Sequence, residues 1–238
     1  MRRFFTDKIN KPEMLIDGNE YKHVSEVLRA KVGENIIMCN GDGTDYVFQI
    51  KNIGKKDILL SYVSENKNET ETNLDLTVFF ALLKGDKSEF VVTKLTELGI
   101  KHIVPFISEY TVKTGEKTDR LERAAIEACK QCGRAVLPKI GKVIKFEEIS
   151  KLSVNYDKML FAYENAYVSG ERIKNIISGK EQSIALVIGA EGGFSESESK
   201  LMLDNNIPAV TLGKRILRAE TASIAASAVI LSLCGEWE

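Results

Sequence analysis

The chain has 238 residues, 44% of them apolar and 28% charged, with a formal net charge of -1. That length suits one large or two modest domains, and that composition an ordinary globular protein. A charge so near zero excludes a global signature of nucleic-acid binding, so any basic surface must be local. The start, Met1-Arg2-Arg3-Phe4-Phe5-Thr6-Asp7-Lys8, lacks the apolar core of a secretory signal, and the most apolar stretch, 221–234, is too short and Ser-rich to span a bilayer. These features predict a soluble, cytoplasmic protein with no membrane association.

A short helix is expected over 20–28, followed by a β-rich pattern. Strands are expected at 35–39 and 58–63, and around the alternating residues Tyr46, Phe48 and Ile50. The turn Asn40-Gly41-Asp42-Gly43 between apolar runs is a hairpin signal. Residues 1–70 thus read as a small β-barrel-like module. Residues 64–73, Ser-Glu-Asn-Lys-Asn-Glu-Thr-Glu-Thr-Asn, contain no apolar side chain and read as a solvated connection between domains.

Beyond the connection, strand and helix alternate. Strands are expected at 76–83, 102–107, 158–163, 184–188 and 209–212, and helices at 87–98, 119–134, 170–177 and 221–233. Alternation of this kind argues a parallel α/β sheet covered on both faces, here over 74–238. Cysteines 39, 129, 132 and 234 read as free thiols. Cys129-Lys130-Gln131-Cys132 has redox-type spacing, but no strand precedes it, and His23 and His102 are isolated, so no metal site is expected.

Two glycine-centred turns near the C-terminus carry the strongest local signal. One follows Ala185-Leu186-Val187-Ile188 as Gly189-Ala190-Glu191-Gly192-Gly193, and the other follows Val210-Thr211-Leu212 as Gly213-Lys214-Arg215. Glycines at a strand end permit a sharp turn and close backbone approach to a ligand, and open α/β sheets bind ligands at that edge. Two such turns around one short helix could wall a single pocket. Glycine-rich strand-to-helix turns also occur with no ligand, and neither turn matches a dinucleotide or phosphate-loop fingerprint. From 113 to 145 the chain carries nine basic and four acidic residues, a local +5. This is either a solvated helix face with i,i+4 pairs or a phosphate-contacting surface, and it includes Lys113, Lys117, Arg120, Arg123 and Arg134. Gln131 and Arg134, three apart, are expected on one helix face, where both could address a substrate.

Several blocks together carry a resemblance. They are Lys84-Gly85-Asp86-Lys87, then Lys94-Leu95-Thr96-Glu97-Leu98-Gly99 with His102-Ile103-Val104-Pro105-Phe106, then Glu127-Ala128-Cys129-Lys130-Gln131-Cys132-Gly133-Arg134. Ile188-Gly189-Ala190-Glu191-Gly192-Gly193-Phe194 and the run from Leu212 to Ala222 complete the set. In this order they resemble the RsmE-type 16S rRNA uridine N3-methyltransferases of the SPOUT class, and the β-rich start is similar to that family's PUA-like RNA-binding module. Two positions depart from the family pattern: Ala190 stands where proline is usual and Ala219 where threonine is usual. Neither change removes a charge.

The resemblance implies a SPOUT-type parallel sheet with a C-terminal trefoil knot, and S-adenosylmethionine bound by the knot loops. It places the cofactor against Ala162 and Tyr163, against Ile188, Gly189, Glu191, Gly192 and Gly193, and against Leu212, Gly213, Ile216, Leu217 and Thr221. The N3 proton of uracil must leave, which a nearby base or a cation beside the developing anion would assist. Glu191 or Glu220 is the candidate base and Arg134 or Arg218 the candidate cation, although Glu191 could merely cap its turn and Arg218 merely pair with Glu220. RNA contacts are expected from Arg2, Arg3 and Arg29 in the first module and from Arg120, Arg123, Gln131 and Arg134 in the second. The Ala/Ser-rich final helix, in this family, implies a homodimer. The expected partner is 16S ribosomal RNA, within the small ribosomal subunit. Alternatives are a SPOUT ribose 2′-O-methyltransferase and a non-catalytic RNA-binding protein.

Overall fold

The computed structural model describes residues 1–112, 118–164 and 170–237; Lys113, Glu116 and Lys117 of the basic segment lie outside them. The chain forms two compact units. The first is Met1–Glu71 with Cys129–Leu137, and the second is Thr72–Ala128 with Pro138–Glu238. The return of Cys129–Leu137 to the first unit had no signature in the sequence, where those residues simply continue a helix.

The first unit is built on strands β1 (Arg2–Phe5), β2 (Glu13–Asp17), β3 (Asn35–Cys39), β4 (Thr44–Ile53) and β5 (Asp57–Lys67), hydrogen-bonded in the order β1-β3-β4-β5-β2. Only the β1–β3 pair is parallel. Register shifts at Val47/Phe48 and Ile50/Asn52 mark bulges in β4, which bend the strand and wrap the sheet around its core. That core is Phe4, Ile16, Ile36, Met38, Phe48, Ile50, Ile58 and Leu60, with Val24 added from the helical segment. The expected helix over 20–28 is α1 (Gly18–Lys22), which widens into a π-type turn over His23–Val27. β5 runs four residues past Val63 into the stretch read as linker, because its polar end still pairs with β4, Thr44 opposite Lys67.

A polar network ties the returning segment to this unit. The Arg3 guanidinium, buried, engages both carboxylate oxygens of Asp45 and donates to Cys39 Sγ at 2.9 Å. Asn68 Nδ2 reaches Asp45 at 3.2 Å and the Gly133 carbonyl at 3.0 Å. Arg134, also buried, grips Glu71 through Nε at 3.1 Å and Nη2 at 2.7 Å.

The second unit is a parallel sheet of β6 (Asp75–Ala81), β7 (His102–Ile107), β8 (Lys139–Ile140), β9 (Ile144–Lys145), β10 (Lys158–Ala162), β11 (Glu171–Arg172), β12 (Ser183–Ile188) and β13 (Ala209–Thr211). Its order is β11-β13-β10-β12-β6-β7-β8, with β9 also on β7. Side chains of a strand alternate between faces, and both faces here are apolar. Leu76, Val78, Leu160, Ile184 and Leu186 face a core covered by α2 (Lys87–Glu97), the first part of α3 (Asp119–Cys132), α5 (Ile173–Ile176) and α7 (Ala219–Leu233). Phe79, Phe161, Ala185 and Val187 face a second core, under α4 (Phe146–Ile149) and α6 (Glu196–Asp204). Beyond α7 the Glu236 carboxylate accepts the amides of Asn73 and Leu74 at 3.0 and 2.6 Å, fastening the tail beside the start of β6.

α3 ends at Cys132, not at Arg134 as the sequence suggested. Gly133 adopts φ of +90°, a left-handed conformation that stops a helix and that glycine accepts readily. Gln131 therefore remains exposed on the helix while Arg134 turns into its buried pair, and the two do not share a helix face.

Candidate active site

β13, β10 and β12 are adjacent and parallel, so their carboxyl ends open on one edge of the sheet. The register sets Ala162 beside both Ile188 and Val210. From these ends the chain turns through residues 163–164, 189–195 and 212–218, and the turns enclose a cavity of about 280 Å³. Its apolar wall comes from Ala162, Ile188, Leu212, Leu217 and Ala222; Glu164, Glu191, Lys214 and Arg215 bring charge to it.

Glycine is required in these turns for separate reasons. Gly193 has φ of +73°, donates its amide to the Ala190 carbonyl at 2.9 Å, and would place a Cβ on the Glu164 carboxylate. A Cβ on Gly192 would lie 3.1 Å from Cβ of Tyr110, so the bare backbone lets that tyrosine pack against the turn. Gly213 has φ of +105°, and a Cβ there would meet no protein atom within 4 Å. The helix after the first turn starts at Ser195, whose hydroxyl accepts the Glu198 amide while the Glu198 carboxylate accepts the Ser195 amide, a reciprocal cap. Glu198 also accepts the Glu109 amide at 2.8 Å, holding the segment before Tyr110 against the same helix start.

The cavity is lined by Ala162, Tyr163, Ile188, Gly189, Glu191, Gly192, Gly193, Leu212, Gly213, Ile216 and Leu217, all singled out from the sequence. Thr221 is not among its lining residues. Ala219 and Ala222, three apart on α7, face the cavity, and Thr221 fronts an adjoining groove with Lys87, Phe90, Arg218, Glu220, Ile224 and Ala225. Arg218 is exposed there, and among the described residues no ion pair joins it to Glu220, whose Oε2 is buried and unpartnered.

Glu191 accepts the Lys84 amide at 3.2 Å and Lys87 Nζ at 3.1 Å. Burial pushes its carboxyl up, but these donors outweigh burial and hold it below the ordinary value. A carboxylate so stabilised is a weak proton acceptor. The sequence placed Glu164 at the strand end expected to form the third side of the pocket, but gave Lys84, Lys87 and Tyr110 no individual role, because they become neighbours of the turns only through the sheet. Elsewhere, Arg2 donates to the Leu28 carbonyl at 2.8 Å and Arg29 is exposed with φ of +49°. Arg120 pairs with Glu89 at 2.8 Å, and Arg123 bonds the Asp119 carbonyl on its own helix. Burial lifts the Cys39 thiol to about 11 and the Cys129 thiol to about 12, which leaves both protonated and inert. Among the described residues no cluster of metal-ligating side chains forms, and no helix is long and apolar enough to cross a membrane.

The chain thus carries two kinds of unit: an α/β unit whose adjacent parallel strand ends wall a glycine-lined cavity, and a small β-sheet unit. Residues 70–231 match the RNA methyltransferase domain and residues 16–61 the RNA methyltransferase PUA domain. The ribosomal RNA small subunit methyltransferase E of Bacillus subtilis is 29% identical over 97% of this chain and 96% of its own, and that of Rickettsia conorii 31% identical over 91% and 88%. The crystal structure of the Neisseria gonorrhoeae enzyme of that name, bound to S-adenosyl methionine, superposes with a TM-score of 0.90 over the whole of both chains at 29% identity. The chain belongs to the ribosomal RNA small subunit methyltransferase E family. The PUA-like module and parallel-sheet domain expected from the resemblance are the architecture found.

Proposed function

We propose that this protein transfers a methyl group from S-adenosylmethionine to N3 of a uridine in 16S ribosomal RNA. The observation that carries the reading is the cavity at the ends of β10, β12 and β13, in a chain of this family. The residues suit the donor. At Gly213, where a Cβ would meet no protein atom, the bare backbone permits close approach of an adenine or ribose edge, while Ile188, Leu212 and Leu217 flank the rings. The Glu164 carboxylate, without a hydrogen bond or ion pair among the described residues, complements a cationic ligand. Bound there, the cofactor supplies a methyl on positively charged sulfur; it passes to the ring nitrogen as the C–S electron pair stays on sulfur and the N3 proton goes to water. The protein's part is to hold the two reactants aligned and to exclude competing geometries.

Lys214, Arg215 and Arg218 stand on the segment leading into α7 and supply the cations that receive phosphates flanking the target nucleotide. In the first unit Arg2 and Arg29 extend the RNA surface, while Arg3 supports it from within through Asp45. Replacing Arg2 and Arg29 by glutamine should reduce the salt dependence of RNA binding by nearly one unit of slope per lost contact, and an unchanged slope would remove them from the interface. The knot implied by the resemblance belongs to this proposal, and a crystal structure traced through 188–233 tests it. So do a homodimer formed through the second unit and action on the cytoplasmic small ribosomal subunit. The deciding experiment for the reaction is nucleoside mass spectrometry of 16S RNA after incubation of subunits from a deletion strain with protein and cofactor. 3-Methyluridine is expected. A ribose-methylated nucleoside, or no cofactor binding by calorimetry, overturns the reading.

A further inference from the structure

Two hollows meet at the turn after β12. The enclosed cavity lies on one side of Glu191 and Gly192; on the other, the same residues border an open groove lined by Lys84, Lys87, Tyr110 and Val112. A methyl acceptor has to reach the donor from a space contiguous with the donor's own, and this groove shares lining residues with the cavity. Its surfaces suit a nucleobase. Tyr110 is 45% exposed although its Cβ and one ring edge lie against Gly192, so the ring stands on a fixed base and offers a stacking face. Lys87 enters from the first turn of α2, and Nζ gives one of its three protons to Glu191 at 3.1 Å, leaving two donors for a ligand.

We propose that the target uracil stacks on Tyr110 in this groove and that Lys87 donates to a ring carbonyl as N3 loses its proton. The assignment rests on the methyltransferase reading above. The proton leaves N3 for water or hydroxide, negative charge spreads onto the ring carbonyls, and Lys87 only donates a hydrogen bond, forming no covalent bond. Glu191 orients that donor. Glu191 is held below its usual carboxylate range, with Lys87 among its donors, so it stays an anion instead of taking up the proton. The other charged and titratable groups around Lys87 are Lys84 and Glu109 along the groove, Tyr110 itself, and Arg218 with Glu220 at the start of α7. Arg134, the alternative cation, is buried in its pair with Glu71 in the first unit.

The test uses the full chain, small ribosomal subunits from a deletion strain, and single-turnover methylation at saturating cofactor from pH 6.5 to 9.5. Wild type, Lys87→Met, Lys87→Arg, Tyr110→Ala and Tyr110→Phe are compared, with cofactor affinity measured separately by calorimetry. Lys87→Met should bind cofactor as wild type does, lose roughly a hundredfold in rate at pH 7, and recover part of the loss as hydroxide rises. Lys87→Arg should keep much of the rate. Tyr110→Ala should raise the RNA concentration for half-maximal rate about tenfold with the saturating rate little changed, and Tyr110→Phe, which keeps the stacking ring, should recover most of that loss. A Lys87→Met variant with the wild-type rate across that range overturns the assignment. So does one that loses cofactor affinity, since Lys87 would then serve only to brace the Glu191 turn. A wild-type protein that binds no cofactor removes the methyltransferase reading itself, a result distinct from either.

Discussion

At the scale of single residues, burial and partners decide what a charged side chain can do. Arg134 lies in a block shared with an enzyme family, which made it a candidate beside the substrate, but its side chain is 3% exposed and clamped on Glu71. Removing one member of a buried pair leaves the other uncompensated, at a cost of about 3 kcal/mol. Arg134→Ala should therefore lower the urea midpoint sharply while calorimetry shows unchanged cofactor affinity; unaltered stability would return Arg134 to the list of surface cations. Asp45 obeys the same logic with pH. Burial pushes its carboxyl up, yet the Arg3 guanidinium and the Asn68 amide prevail and hold it below its ordinary value of 3.8. A carboxyl lowered in the folded state stabilises the fold above that ordinary value, and the contribution disappears as pH falls through the lowered one. The urea midpoint should be flat from neutrality to about pH 5 and drop below about pH 4. Asp45→Asn should shrink that drop, and a variant with the full acid-induced loss would show that Asp45 contributes none of it.

At the scale of elements, the site is made by turns, and the turns were legible because glycine is. Gly213 illustrates what the sequence could and could not supply. Its place after an apolar strand marked a tight turn, but only the structure shows φ of +105° and open space where a side chain would project. Alanine there meets no atom, so any loss is backbone strain of about 1 kcal/mol, while valine adds branched bulk toward the cavity. Gly213→Val should abolish cofactor binding and Gly213→Ala weaken it, with near-native circular dichroism in both. Wild-type affinity in a folded Gly213→Val protein would mean that the ligand does not lie against this turn. Other elements left no readable trace. β1 is Arg-Arg-Phe-Phe, with no alternation, and β2 hides its alternation because Leu15 is exposed between buried Met14 and Ile16. β8, β9 and β11 span two residues each, too few for any period to register. The Tyr110–Lys87 groove was invisible for another reason: β7, β6 and β12 must lie side by side before the residues after them can meet.

At the scale of the molecule, alternation of strand and helix announced the sheet and its two covered faces, while the return of Cys129–Leu137 depended on hydrogen bonds that no composition encodes. What remains exposed on the second unit bears on assembly. α7 packs Ala222, Ala226 and Ile230 inward, yet leaves Val229 and Leu233 exposed, four apart on one helix face, with Trp237 exposed beyond its end. Phe90, on α2 against α7, is exposed too. Scattered apolar residues on a surface need no explanation, but an aromatic-rich set around one helix does. A symmetric dimer would bury such a set against itself, since in a two-fold interface the same patch serves both partners. Val229→Glu together with Leu233→Lys should therefore shift light scattering from a dimer toward the monomer mass of 26.5 kDa at micromolar concentration. If the helix face forms the contact, methylation should fall in parallel with the dimer fraction. A wild-type protein that is already a fully active monomer would leave these side chains as ordinary surface.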